Sequence, residues 1–129
     1  MSQYQENTPT NTTRNFAQIG NNKIAFWHRP APNATTIVLV HGNSASKAAF
    51  RPLFENPALK QFALYALDLP GCGESGDAID TAAEYNMPGL AKTIMGFVDN
   101  LSLENYFILG WSLGGHLCIE MLARGASPQ

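Results

Sequence analysis

Cysteine is the scarcest informative residue in this 129-residue chain, occurring only at Cys72 and Cys118. Two are too few for a disulfide framework, so free thiols in a reducing cytosol are expected. No apolar stretch approaches the ~20 residues of a membrane span. The first residues, Met1 to Asn7, lack both the basic start and the apolar core of a secretion signal. Positive charge is not in excess: 8 Lys and Arg against 10 Asp and Glu give a net charge of -2. That balance offers nothing to nucleic acid or an anionic membrane surface. A cytoplasmic protein with neither partner is expected. The triplets at Asn11, Asn33 and Asn100 match a glycosylation acceptor by chance in such a protein.

What is present is an apolar fraction of 45%, ordinary for a globular domain, in a chain of one-domain length. Residues 1–14 are polar and expected to be disordered; residues 15–129 form the folded part. Asn15 to Ile19 and Lys23 to His28, joined by Gly20-Asn21-Asn22, read as an antiparallel hairpin. Thr35 to Val40, Phe62 to Leu67 and Tyr106 to Leu109 are unbroken apolar runs, the signature of strands buried on both faces of a parallel sheet. Between the first two lies a helical segment ending near Glu55. Ser44 or Ser46 caps it, and Pro52 keeps it short or bent. A second helix starts near Asn86 with Pro88 in its first turn, or earlier at the capping-box sequence Thr81-Ala82-Ala83-Glu84. It buries Leu90, Ile94, Phe97, Val98 and Leu101. A last helix spans Gly115 to Arg124. Strands alternating with helices predict an α/β fold, a mainly parallel sheet with helices on both faces and an N-terminal hairpin.

The chemistry concentrates at Gly110-Trp111-Ser112-Leu113-Gly114, a G-x-S-x-G pentapeptide between a predicted strand and a predicted helix. The glycines allow a turn so sharp that the serine is strained and its hydroxyl is thrown clear of the sheet edge. Ser112 therefore reads as a nucleophile, with Trp111 as its neighbour in the substrate pocket.

Three stretches follow successive predicted strands: His41-Gly42-Asn43, then Asp68-Leu69-Pro70-Gly71-Cys72-Gly73-Glu74-Ser75, then Gly110 to Gly115. In this order they resemble the N-terminal half of the α/β-hydrolase fold family, in its single-domain serine hydrolase branch. The resemblance covers roughly residues 15–124. It implies that the backbone N–H groups of Asn43 and Leu113 form the oxyanion hole, with His41 anchoring the turn. Dehalogenases and epoxide hydrolases of the fold are similar around His-Gly but carry aspartate at the elbow. The serine here implies a small-molecule acyl substrate, an ester, thioester or amide, with no metal or cofactor. An acyltransferase and a catalytically inactive binding module of the same fold are the alternatives.

Two patterns mislead. Gly71-Cys72-Gly73-Glu74-Ser75-Gly76 matches the dinucleotide fingerprint G-x-G-x-x-G, but it does not open a helix directly after a strand. Cys72 within it lacks a cationic neighbour in sequence and reads as inert. Ser112, His116 and Glu120 fall on one helical face, yet an elbow points its hydroxyl away from the following helix, and the family places acid and histidine on distant loops. His116 and Glu120 are therefore set aside. A partial fold is expected, cut before the acid and histidine of the triad. Its strand Tyr106 to Leu109 would then be an apolar edge open to self-association.

Overall fold

A computed structural model of the chain describes residues 7–32 and 35–129. Residues 1–6 of the segment expected to be disordered, and Asn33 with Ala34 of the loop after the hairpin, lie outside the described residues. The strands are β1 (Thr13–Ile19), β2 (Asn22–Arg29), β3 (Thr36–Val40), β4 (Ala63–Leu67) and β5 (Tyr106–Gly110). The helices are α1 (Arg51–Phe54), α2 (Thr81–Glu84), α3 (Met87–Asn100) and α4 (Leu113–Ala123). Short 3-10 turns span Lys47–Phe50 and Pro57–Leu59.

The strands form one five-stranded sheet in the order β1-β2-β4-β3-β5. β2 runs antiparallel to both its neighbours, β1 and β4, whereas β4, β3 and β5 are mutually parallel. β3 lies between β4 and β5 and is buried on both sides, as its unbroken Ile-Val-Leu-Val run requires. Val38 and Val40 face a core made with Ile94 and Phe97 of α3 and Leu117 and Met121 of α4. Leu39 faces the opposite core, built from Trp27, Leu64, Phe50 and Phe54. Helices thus cover both faces. No helix among the described residues is long and apolar enough to cross a membrane.

Several boundaries differ from the sequence expectation. β1 opens at Thr13, so Thr13 and Arg14 join the sheet instead of the polar tail, and Thr13 pairs with His28. Ser46, not Ser44, caps the 3-10 turn by accepting the Ala48 N–H. The two candidate helix starts are two helices. α2 ends as Tyr85 leaves the helical region, and Asn86 then caps α3 by accepting the Gly89 N–H at 2.8 Å. β5 is the edge strand beyond β3. Its Phe107 and Leu109 are 47% and 43% exposed.

Candidate active site

Gly110 ends β5 and Gly114 lies in the first turn of α4, and neither has room for a side chain. A Cβ on Gly110 would fall 2.3 Å from the Gly114 carbonyl carbon, and one on Gly114 would fall 2.1 Å from the Val40 carbonyl oxygen. The strand, the turn and the helix are therefore in backbone contact, and the chain must reverse within two residues. The cost appears at Ser112, held at φ 56° and ψ -116° in a region that side chains rarely adopt. Ser112 stands at the N-cap position of α4, but its side chain makes no capping hydrogen bond. It is exposed.

The His-Gly turn abuts this elbow. The Trp111 N–H donates to the Val40 carbonyl at 3.0 Å, extending the β3–β5 pairing to the residue before the serine. A Cβ on Gly42 would lie 3.3 Å from both the Ser112 Cβ and the Trp111 ring. Beyond Gly42, Asn43 is exposed and Ser44 takes φ 57°. Among the described residues neither the Asn43 N–H nor the Leu113 N–H donates a hydrogen bond. Both residues line one cavity of about 290 Å³. Trp111 is 55% exposed and packs against the turn without lining that cavity.

His41 is fully buried, and both ring nitrogens are engaged. Its Nε2 accepts the Leu69 N–H at 3.0 Å, so Nδ1 carries the proton and donates to the Gly42 carbonyl at 2.7 Å. It serves as an anchor. His116 is exposed on α4, while Glu120 is paired with Arg124 at 3.1 Å. The serine–histidine–glutamate ladder is not a relay.

The Asp68–Ser75 loop proves to be a scaffold built on one carboxylate. Asp68 Oδ1 accepts the Lys47 N–H at 2.7 Å, and Oδ2 accepts the Lys47 Nζ at 2.6 Å and the Glu74 N–H at 2.9 Å. Gly73, at φ 51°, runs so close that a Cβ would lie 2.4 Å from the carboxyl carbon. Ser75 Oγ donates to the Asp68 carbonyl and accepts the Ala25 N–H, tying the loop to β2. The glycines thus wrap a carboxylate and open no helix, so the dinucleotide match has no binding geometry behind it. Burial, then the nearby Asp68 charge, push the Cys72 thiol upward and keep it protonated.

Sequence reasoning missed the ion network around this loop. Lys47 Nζ also meets Glu74 Oε1 at 3.0 Å, and Glu74 Oε2 meets Arg14 Nε at 2.7 Å. Burial alone would raise the Glu74 carboxyl, but hydrogen bonds and charge from Lys47 and Arg14 hold it below its ordinary value. The one available signal was a single lysine inside the apolar segment Ala45 to Phe50. Among the described residues no cluster of His, Cys, Asp or Glu could hold a metal ion.

Residues 35–129 match the family model of the alpha/beta hydrolase fold. The chain belongs to the alpha/beta hydrolase fold family. It is 30% identical, over 88% of its own length, to the dihydrolipoyllysine-residue acetyltransferase component of the acetoin cleaving system of Pseudomonas putida, covering 29% of that protein. It is 34% identical, over 70% of its length, to the pimeloyl-[acyl-carrier protein] methyl ester esterase of Edwardsiella ictaluri, covering 31% of that enzyme. Among solved structures, an N-acyl homoserine lactonase complexed with N-hexanoyl homoserine superposes with a TM-score of 0.83 and 35% identity. That match covers 88% of this chain and 41% of the lactonase. The alpha/beta hydrolase chain thus spans well under half the length of these relatives, which include hydrolases and an acyltransferase component.

Proposed function

We propose that Ser112 is the nucleophile of an acyl hydrolase. What supports this reading above all is the strained backbone of Ser112, which costs about 1–3 kcal/mol and is not offset by a capping bond. In the reaction Ser112 Oγ attacks a carbonyl carbon and loses its proton to a base. The oxyanion forms beside the free N–H groups of Asn43 and Leu113, which together with the α4 dipole stabilise it. Collapse of the oxyanion breaks the bond to the leaving oxygen, which departs as an alcohol with the proton from the base, and water then hydrolyses the acyl-serine ester to release the acid and restore the Ser112 hydroxyl. The esterase and lactonase relatives are both named for attack on acyl–oxygen bonds, which favours an oxygen ester or lactone over an amide.

The base and its orienting acid have no candidate beside Ser112 among the described residues, since His41 is spent as an anchor. In this reading both come from protein outside these 129 residues, and the chain is a part of a longer hydrolase. The free thiols Cys72 and Cys118 fit a reducing cytoplasm. An acyltransferase, in which an acceptor other than water takes the acyl group, is favoured by the acetyltransferase-component relative alone.

The test is labelling of the full-length protein with a fluorophosphonate probe and mapping of the adduct. Modification at Ser112 is expected. A folded full-length protein that never reacts there would sink the reading and leave the inactive binding module.

A further inference from the structure

The turn that presents the Asn43 N–H is held less by its own bonds than by charges behind it. Among the described residues it closes one backbone hydrogen bond on itself, from the Ala45 N–H to the Gly42 carbonyl at 3.3 Å. Ser44 sits within it at φ 57°, a conformation that costs a non-glycine residue free energy and persists only where the surroundings impose it. His41 fixes the entry to the turn, and Lys47 fixes the exit. Asp68 grips Lys47 twice, with Oδ1 on its backbone N–H and Oδ2 on its Nζ. The Nζ also donates to Glu74 Oε1 and lies 5.4 Å from the centre of the Trp27 ring. Lys47 is fully buried, and Glu74 carries the network outward to Arg14 on β1.

Alternating charges thus run from Asp68 through Lys47 and Glu74 to Arg14, from behind the turn to the surface. A buried array of this kind is a poor source of stability, because apolar residues of similar volume commonly do as well. What it supplies is direction: short, charge-assisted bonds from two carboxylates fix residue 47 along more than one axis.

We propose that Lys47, backed by Asp68 and Glu74, is a positioning residue that aims the Asn43 N–H at the oxyanion. This role rests on the proposed function, in which Ser112 is the nucleophile and Asn43 a donor to the oxyanion. A donor is effective only within about 2.7–3.1 Å of the place where the charge develops. A misplacement of about 1 Å can cost on the order of 10²-fold in rate. Asn43 is exposed, so no packing around its side chain sets that distance. The clamps at His41 and Lys47 set it.

The experiment follows hydrolysis of p-nitrophenyl acetate by the full-length protein and by its Lys47→Met and Glu74→Gln variants. Rates are expressed per site labelled by a fluorophosphonate at completion, which removes any unfolded fraction. Acylation and deacylation both pass through the oxyanion, which the ground state lacks. Expected is therefore a fall in kcat with KM held within about twofold. The fall should be about tenfold or more for Lys47→Met and about threefold or more for Glu74→Gln. A short-chain alkyl trifluoromethyl ketone reads the donor directly. Ser112 Oγ adds to its carbonyl carbon, the serine proton passes to the base, and the carbonyl oxygen becomes the oxyanion, with no group leaving. Its inhibition constant should rise by the factor by which kcat falls. Glu74→Gln keeps an oxygen for the Lys47 ammonium and carries the test where Lys47→Met does not fold. Unchanged kcat in a folded variant would overturn the positioning role and leave the network purely structural. So would a rise in KM alone, or a fall in kcat with the inhibition constant unmoved. Each of these leaves the nucleophile intact. A parent protein that neither labels nor hydrolyses the ester overturns the serine reading and the positioning role with it.

Discussion

The Lys47 ammonium and the Asp68 carboxylate meet at 2.6 Å with neither side chain exposed to solvent. Lys47 ends the loop that begins at His41, and Asp68 precedes Leu69, whose N–H is bonded to His41. Residues 68 and 69 therefore pin both ends of the turn that carries Asn43. Breaking a buried pair leaves one charge uncompensated, so Lys47→Met should destabilise the protein by about 3–5 kcal/mol. Adding Asp68→Asn should recover part of the loss, because the charge goes while an acceptor for the Lys47 N–H stays. Urea denaturation of the two variants checks this.

The strain at Ser112 should be visible as stability. Ser112→Gly should raise the stability by about 1 kcal/mol, since glycine tolerates φ 56° and no capping bond is lost. Ser112→Ala keeps a Cβ and should bring no such gain. Paired thermal melts distinguish the two substitutions.

Gly114 and Gly115 are adjacent but not equivalent. A Cβ on Gly114 meets the Val40 carbonyl oxygen at 2.1 Å, whereas one on Gly115 meets nothing nearer than 3.5 Å. Gly114→Ala should lower stability by about 3 kcal/mol or more. Gly115→Ala should be neutral or gain up to about 1 kcal/mol of helix propensity. A lowered melting temperature for Gly114→Ala and an unchanged or raised one for Gly115→Ala are expected.

Glu74 makes stability depend on acid. Its folded-state pKa is depressed by Lys47 and Arg14 below the ordinary 4.5. Its contribution is therefore complete above about pH 4.5 and is lost as the pH falls through the lower folded value. Glu74→Gln should flatten this part of the curve of stability against pH and lower the plateau at neutral pH. Denaturation midpoints between pH 3 and 7 measure both effects.

β5 presents Phe107 and Leu109 on an edge strand, a template for pairing with another copy. The 129-residue chain should self-associate with increasing concentration, and Phe107→Lys with Leu109→Lys should suppress this. Sedimentation velocity across a concentration series decides.

The parallel strands were legible because β3 and β4 are buried on both faces and so are written as unbroken apolar runs. The elbow was legible because Gly110 and Gly114 are required by backbone contact within a few residues. Lys47 was not. Its burial depends on Asp68, 21 residues away, which reaches it only when β3 and β4 pair. The split between α2 and α3 was hidden for a local reason: the Thr81 and Asn86 signals are both real, and only the backbone of Tyr85 shows that they begin separate helices. The cavity could not be read at all, since Leu69, Leu90 and Leu113 come from three elements that the sequence does not align.

The contact of Gly114 with the Val40 carbonyl has a consequence for transplantation. The pentapeptide Gly110 to Gly114 is one half of a joint whose other half is the end of β3. Grafted into another sheet without a strand end as near as Val40, the same five residues would relax into an ordinary turn. The motif would survive the transfer, and the tension that sets its serine apart would not.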